Sequence, residues 1–402
     1  MKLGIDRLLA EPDLRLLLKD KRAALLAHPA SLTSDFVPTI DALMACDDIN
    51  LVSCFGPQHG LRGDKQDNMV ETVDTVDSKH QIPVFSLYGK VRRPTQEMLD
   101  TFDVLLVDIQ DVGCRIYTFI TTLCYLLEDC EKSGKALWVL DRPNPAGRQV
   151  EGLTLEAGQE SFVGIAPIPM RHGMTFGEVV LWYKEYRQLN VELQIIEMTG
   201  YSMSAAPGYG WPQDELSWVN PSPNIPTLNS VRTYPGTVIL EGTTLSEGRG
   251  TTRSLELFGA PDLDIPLILH KMHELAPHWL EGVRIREVWF EPTFHKYAGE
   301  LCAGLHLHTD FPDHDPDNFK PFRMIVLFLK SIRMLYPDYQ LWRDFPYEYE
   351  AGRLAIDVIN GGEYLRQWVD DIKATVSDFE AKLLSDEVAW KDQSSRYYLY
   401  DN

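Results

Sequence analysis

The sequence predicts an α/β protein in which a Rossmann-like parallel sheet, formed by the first half, packs against a smaller mixed α+β domain. Strand and helix signals alternate throughout the first half, and residues 104–107 are wholly apolar, as in a parallel strand covered on both faces. The second half has a less regular pattern. A chain of 402 residues is long enough for two domains. We place them at 1–155 and 156–402, with a cleft between them.

Five short apolar runs of the first half predict parallel strands, and three segments between them predict helices. The strands are expected at 23–28, 51–55, 83–88, 104–108 and 136–141. The helices are expected at 35–45, 95–101 and 118–132. Thr95 is a favourable N-terminal cap for the second helix, and Ser133-Gly134 is a typical stop for the third.

The second half predicts a mixture of helices and strands around one long loop. Helices are expected at 178–187, 267–275, 322–336 and over most of 363–400, and strands at 193–198, 283–290 and 301–308. Residues 206–227 are rich in Pro, Gly and Trp, which indicates an ordered loop. No internal repeat or low-complexity linker separates the halves, so we expect them to pack closely.

Composition narrows the possible classes of function. A formal net charge of −21 argues against general nucleic-acid binding and against adhesion to anionic membranes. The six cysteines show no zinc-site spacing. Met1 leads directly into a helix-like segment, without an apolar leader or a long apolar span. We therefore expect a cytoplasmic protein that does not insert into membranes, unless a leader has been removed.

The glycine loops do not fit a nucleotide site. The turn after the first strand, residues 28–31, lacks the G-x-G-x-x-G pattern, and the loop 246–252 lacks the Lys-Ser/Thr ending of a phosphate-binding loop. His306 and His308 share a face of a predicted strand, but no third metal ligand is evident. We therefore expect neither a cofactor nor a metal.

Polar side chains cluster where predicted strands end. Segment 55–64 (Phe-Gly-Pro-Gln-His-Gly-Leu-Arg-Gly-Asp) follows the second strand, 108–115 follows the fourth and 141–145 follows the fifth. The carboxyl ends of parallel strands lie at one edge of a sheet, where ligands bind in open α/β folds. We expect these segments to meet there and to face three polar segments of the second half, at 171–175, 221–227 and 241–252.

The motifs in these segments resemble one family. They are Gly56-Pro57-Gln58-His59-Gly60, 83–89, 108–113, 141–145, 171–175, 221–224, 234–237 and 241–252. In order, and over nearly the whole chain, they are similar to the NamZ/YbbC-type exo-β-N-acetylmuramidases, glycoside hydrolase family 171, formerly a domain of unknown function. The resemblance implies a Rossmann-like domain with a smaller second domain, no cofactor, and release of N-acetylmuramic acid from the non-reducing ends of peptidoglycan fragments.

One residue departs from the family pattern. Gln58 stands where the family usually has a Glu, the proposed catalytic residue, and an amide cannot transfer a proton at useful pH. Either another carboxylate has taken the role or the chemistry differs. Glu71 and Asp64 are the nearest replacements, because they lie on the same loop. The opposing carboxylate that glycoside cleavage requires is expected from the second half, from Glu247 or Glu241, with Asp108 and Asp111 at the sheet edge as alternatives.

The remaining polar residues of the motifs are expected to hold the sugar. Arginine binds a carboxylate such as the lactyl group of muramic acid through two parallel hydrogen bonds, although each arginine is equally suited to a structural ion pair. The predicted substrate-binding residues are His59, Arg62, Asp108, Asp111, Arg115, Arg142, Asn144, His172, Asn224, Glu241 and Arg249.

Two classes of function follow from the resemblance and from Gln58. The first is an exo-acting glycosidase whose partner is a peptidoglycan-derived muramyl sugar. The second is a non-hydrolytic binder of such fragments, which the missing glutamate motivates.

Overall fold

The computed structural model describes residues 1–66, 69–205 and 208–400. The strands are β1 (Arg22–Ala27), β2 (Asn50–Gly56), β3 (Thr75–Val76), β4 (Pro83–Ser86), β5 (Val104–Asp108), β6 (Ala136–Leu140), β7 (Glu151–Thr154), β8 (Pro169–Arg171), β9 (Leu193–Ile196), β10 (Leu257–Ala260), β11 (Arg284–Phe290) and β12 (Cys302–His308).

The helices lie between and after these strands. They are α1 (Gly4–Ala10), α2 (Pro12–Leu16), α3 (Thr39–Met44), α4 (Gln96–Leu99), α5 (Phe119–Ser133), α6 (Phe176–Tyr186), α7 (Leu228–Thr237), α8 (Ile265–Leu275), α9 (Pro321–Leu335), α10 (Ala355–Asn360), α11 (Tyr364–Asp370) and α12 (Val376–Ser394). Short 3₁₀ helices cover Val238–Gly242, Pro277–Leu280 and Ser395–Tyr397.

A seven-stranded sheet in the order β3-β4-β2-β1-β5-β6-β9 forms the centre of the molecule. Every neighbouring pair is parallel except β3 and β4, which are antiparallel. Apart from the two-residue edge strand β3, this is the doubly wound order of Rossmann-like sheets. The predicted fold class is therefore confirmed. Because β9 is the last strand, the sheet extends beyond residue 155, and the division of the chain at that residue stays a prediction.

The central strands separate two hydrophobic cores, because successive side chains of a strand point to opposite faces. On β5, Leu105 and Val107 belong to the larger core, whereas Val104 and Leu106 belong to the smaller one. The larger core continues from α5 into α9, where Phe322 is fully buried. The two halves thus share one core, as the absence of a linker in the sequence predicted.

The second half places further layers beside the sheet. Strands β10, β12 and β11 form an antiparallel sheet in that order, and β7 pairs with β8. Helix α12 packs on β7 and is anchored by Glu387, which accepts hydrogen bonds of 2.6 and 3.1 Å from Arg323 of α9. Within the described parts of the chain, no helix has the length and apolar character that crossing a membrane requires.

Most predicted elements are confirmed, with shifts of a few residues at their ends. Thr95 caps α4 by accepting a hydrogen bond from the Met98 amide, and Gly134 ends α5 in a left-handed conformation (φ 66°). The first predicted helix is shorter than expected and begins at Thr39, directly after Pro38. Strands β3, β7, β8 and β10 and helices α7 and α10 were not predicted.

Arg115, between β5 and α5, links segments that are distant in sequence. Its buried guanidinium donates four hydrogen bonds of 2.6–3.2 Å to the backbone carbonyls of Leu153, Ile168, Ile359 and Asn360. Burial lowers the pKa of Arg115 to about 10. The side chain therefore holds the β7–β8 region against α10.

We expect the substitution Arg115→Met to lower the free energy of unfolding by at least about 3 kcal/mol. It leaves four buried carbonyl groups without their donor, and each such group costs about 1–3 kcal/mol. Urea denaturation measures the effect. The matched control is Arg396→Met, because Arg396 is mostly exposed and contacts Glu185 and the Tyr397 ring at the surface. Equal stability of the two variants would contradict the structural role of Arg115.

Candidate active site

A polar pocket lies beyond the carboxyl ends of β2 and β5. We call it the central pocket. Both halves of the chain contribute to its walls, which are Gln58, His59, Ile116, Tyr117, Thr118, Val163, Ser222, Asn224, Ile225, Tyr234, Glu241, Arg249, Leu255, Tyr347 and Glu348.

Gln58 lies at the floor of the pocket and is held at both ends of its amide group. Its carbonyl oxygen accepts a hydrogen bond of 2.7 Å from the Thr118 hydroxyl, next to the first turn of α5. Its Nε2 donates a hydrogen bond of 3.2 Å to Oε1 of Glu348. Because the Thr118 hydroxyl donates to the carbonyl oxygen of Gln58, the NH₂ group of Gln58 points toward the carboxyl group of Glu348.

Glu348 places a buried carboxyl group in the pocket. Its second oxygen, Oε2, accepts a hydrogen bond of 2.7 Å from the Tyr88 hydroxyl, and the residue is only 6% exposed. Burial raises the pKa of Glu348, although the bonds from Tyr88 and Gln58 act in the opposite direction. The environment thus favours the protonated acid more than water does.

The backbone that carries Glu348 is strained. Tyr347 and Glu350 close a tight turn, with a 3.0 Å hydrogen bond from the Glu350 amide to the Tyr347 carbonyl. Both central residues, Glu348 and Tyr349, have left-handed φ angles of 48° and 67°. Non-glycine residues adopt this conformation at a cost of about 1–3 kcal/mol each, and such strain concentrates at functional sites.

Glu241 provides a second carboxyl group among the residues that line the pocket. Its Oε1 accepts a hydrogen bond from Arg249 Nη2, and its Oε2 accepts one from the Tyr347 hydroxyl. Burial lowers the pKa of Arg249, but the carboxylates of Glu241 and Glu247 outweigh that effect and raise it above its usual value. A fixed positive charge therefore accompanies Glu241.

Glu247 lies behind Arg249 and does not line the pocket. It is fully buried and contacts three basic side chains: Lys296 at 2.8 Å, Arg249 at 3.2 Å and His295 at 3.3 Å. Burial alone would raise the pKa of Glu247, but these neighbours lower it to about 2. This geometry suits a structural ion-pair network that supports the wall of the pocket.

Arg62, Asp64 and Glu71 line a separate open groove of about 1250 Å³, which we call the outer groove. Glu71 is half exposed and accepts a 3.3 Å hydrogen bond from the Tyr349 hydroxyl, while Asp64 pairs with Lys65 at the surface. The structure therefore does not bring Glu71 and Asp64 into the central pocket beside Gln58.

Asp108, Arg142 and Asn144 hold the ends of the strands together. Arg142 donates through Nε and Nη2 to both oxygens of buried Asp108, which also accepts from the Thr39 hydroxyl. Asn144 bonds to backbone groups of residues 146, 147 and 174. Arg142 also lines a small pocket with Gln110 and Trp211, apart from the central one.

Asp111 and His172 are buried near the base of α5 but do not line the central pocket. Asp111 accepts a hydrogen bond of 2.7 Å from the Gly113 amide, which fixes the turn after β5. His172 Nε2 lies 3.7 Å from the same carboxylate oxygen, which is too long for a hydrogen bond.

His306, from the histidine pair that the sequence analysis considered, lies 3.3 Å from Glu256 in a different part of the second half.

Of the predicted site residues, the structure brings five together in the central pocket: Gln58, His59, Asn224, Glu241 and Arg249. His59 adopts a left-handed φ of 69°, and its Nδ1 lies 2.8 Å from the Lys65 carbonyl. Asn224 donates a 2.7 Å hydrogen bond to the Gln66 carbonyl, which ties the two walls together.

Sequence reasoning missed Glu348, Tyr347, Tyr88 and Thr118. Tyr88 lies inside the recognised motif 83–89 and Thr118 begins the helix predicted at 118–132, but neither was proposed as a site residue. The segment Pro346-Tyr347-Glu348-Tyr349-Glu350 has no such signal, because only the folded chain shows that its middle carboxyl group is buried.

Two buried carboxyl groups that line one polar pocket match the pair of carboxyl groups on which glycoside hydrolases commonly rely. The Rossmann-like sheet and this pocket define the protein as an α/β enzyme of that class. The chain belongs to the exo-β-N-acetylmuramidase NamZ family. The family's N-terminal model matches residues 23–229 and its C-terminal model matches residues 232–400. The resemblance inferred from the motifs is therefore confirmed.

Individual relatives agree with this assignment. The chain is 40% identical over 336 residues to the peptidoglycan β-N-acetylmuramidase NamZ of Bacillus subtilis, an alignment that covers 83% of this chain and 78% of the relative. Two crystal structures of DUF1343 family proteins from Bacteroides fragilis cover 100% of this chain and 99% of their own. Their TM-scores are 0.85 and 0.76, at 30% and 26% identity.

We expect the substitutions Glu247→Gln and Glu71→Gln to differ sharply in their effect on stability. Removing the Glu247 charge leaves buried Lys296 without its carboxylate partner, and breaking a buried pair costs about 3–5 kcal/mol. Glu71 is half exposed, so its variant should stay within about 0.5 kcal/mol of the unchanged protein. Denaturant unfolding of both variants measures this. Similar losses in the two would show that Glu247 is not a structural residue.

Proposed function

We propose that this protein is an exo-acting β-N-acetylmuramidase that releases N-acetylmuramic acid from the non-reducing ends of peptidoglycan fragments. The B. subtilis relative bears the name peptidoglycan β-N-acetylmuramidase, and the alignment with it covers most of both chains. The central pocket, which both halves of the chain line, is the proposed sugar site.

The main support for this proposal is that two carboxyl groups, of Glu348 and Glu241, line the pocket. Glu348 has a raised pKa because it is buried, while Glu241 is paired with the guanidinium of Arg249. Glycoside cleavage requires one group that gives a proton to the leaving oxygen and one carboxylate that faces the positive charge developing on the sugar ring. Glu348 and Glu241 match these two requirements.

The non-hydrolytic alternative rested on Gln58, and the pocket does not favour it. A binder of muramyl sugars needs hydrogen-bonding groups for hydroxyls and an acetamido group. It has no need of a buried carboxyl group on a strained turn, and Gln58 itself donates a hydrogen bond to such a group. We therefore treat Gln58 as part of a working acid site.

We further propose that His59, Asn224 and Arg249 contact the bound sugar, because each lines the pocket. The proposed cellular role is the recycling of wall fragments inside the cytoplasm. Cell fractionation tests that role, and finding the native protein only outside the cytoplasm would contradict it.

We expect the purified protein to hydrolyse a chromogenic aryl N-acetylmuramide, and the substitution Glu241→Gln to lower kcat/KM about 10²–10³-fold. The reason is that Glu241 supplies the preorganised negative charge facing the sugar ring in the transition state. Release of the chromophore measures turnover.

The matched control is Glu97→Gln on α4, an exposed residue that does not line the central pocket, which should keep full activity. Absence of turnover by the unchanged protein, together with a rise in Tm when N-acetylmuramic acid is added, would establish the binder in place of the enzyme.

A further inference from the structure

We infer that Glu348 is the general acid of the reaction and that Gln58 is the positioning residue that aims its proton into the pocket. This assignment rests on the proposed function, since it names the group that performs the first proton transfer. Three features of the structure support it: the hydrogen bonds of the carboxyl group, its electrostatic surroundings and the backbone that presents it.

The hydrogen bonds of Glu348 keep its acidic proton from pointing at Gln58. Gln58 presents its amide N–H group to Oε1 of Glu348, and its orientation is set by the Thr118 hydroxyl, which donates to the other end of the amide. An amide nitrogen cannot accept a hydrogen bond, so the carboxylic O–H cannot point at Gln58. Tyr88 likewise donates to Oε2. The proton is therefore free to face the pocket that Glu348 lines.

The surroundings of Glu348 determine the pKa at which it loses that proton. Burial is the largest effect and raises its pKa, and the charge of Glu241 adds to the increase. Hydrogen bonds from Tyr88 and Gln58 and the positive charge of Arg92 lower it. The titratable or charged groups that face Glu348 are Tyr88 and Arg92 after β4, His59 in the pocket, Glu241 from the second half, and Tyr347 and Tyr349 on its own turn.

Contacts of Tyr347 and Tyr349 with residues in and beside the pocket hold the turn in its strained conformation. Tyr347 donates its hydroxyl to Glu241, so the same turn positions both carboxyl groups. Arg92 lies over the Tyr88 ring at 3.9 Å and near the Tyr349 ring at 5.0 Å, which packs the turn against the segment after β4. The turn with two left-handed non-glycine residues sets the place of Glu348.

The proton balance of the step is simple. Glu348 gives its proton to the glycosidic oxygen as the bond from that oxygen to C1 breaks, and the aglycone leaves as an alcohol. Glu241, beside Arg249, faces the positive charge on the sugar ring. Addition of water to C1 releases one proton, which restores the carboxylic acid of Glu348.

Two substrates with different leaving groups test the assignment. A disaccharide of N-acetylmuramic acid linked to N-acetylglucosamine needs a proton on its leaving oxygen, whereas an aryl muramide with a nitrophenolate leaving group does not. We expect Glu348→Gln to lower kcat/KM for the disaccharide about 10²–10⁴-fold, the usual contribution of a general acid. For the aryl muramide we expect a loss of less than about tenfold, because the acid contributes little there.

The control variant is Glu350→Gln, which lies two residues away and pairs with Arg353 outside the pocket. It should match the unchanged protein on both substrates. Equal losses on the two substrates in a folded Glu348→Gln protein would overturn the assignment, as would full activity of that variant. If the unchanged protein cleaves neither muramide, the failure belongs to the proposed function and not to the choice of acid.

A second variant keeps the test decisive if Glu348→Gln does not fold. Tyr88→Phe removes a hydrogen-bond donor that lowers the pKa of Glu348, so the acid should stay protonated to higher pH. We expect the basic limb of the pH profile of kcat/KM for the disaccharide to move to higher pH. A loss of rate without movement of this limb would mean that Tyr88 and Glu348 have only a structural role.

Discussion

The hydrogen bond between Gln58 and Glu348 joins residues 290 positions apart, and the proposed chemistry depends on it. Gln58 follows β2 and is fixed by Thr118 at the start of α5, so its place is set by the parallel sheet. Glu348 comes from a strained turn near the end of the second half, and the larger hydrophobic core spans both halves. Because the two walls share one core, the carboxyl group is held in a fixed position beside the amide.

Buried charges divide into those that support the walls and those that face the pocket. Asp108 with Arg142, and Glu247 with Lys296, are paired inside the protein and hold loops in place. Glu241 and Glu348 line the cavity, one beside a guanidinium and the other beside neutral donors. Burial disfavours a charged carboxyl group, and at Glu348 this effect raises the pKa above its usual value.

Much of the sheet could be predicted from the sequence, whereas the site could be predicted only in part. Strands such as β5 are short apolar runs with their own local signal, but α7 contains Pro235 and Gly236, which disfavour a helix, and it forms because it is almost wholly buried. Gln58 and Arg249 were found because they lie in glycine-rich turns. Glu348 has no local motif, and Glu247 and Arg115 look like ligand-binding residues in sequence although their partners are internal.

A crystal structure of the Glu348→Gln variant with a bound muramyl disaccharide would test the central claim most directly. The account predicts the N-acetylmuramic acid ring in the central pocket, with its glycosidic oxygen within about 3 Å of the residue 348 side chain, the reach of a hydrogen bond, and with Glu241 facing the ring. A disaccharide bound in the outer groove beside Arg62, Asp64 and Glu71, with the central pocket empty, would contradict it.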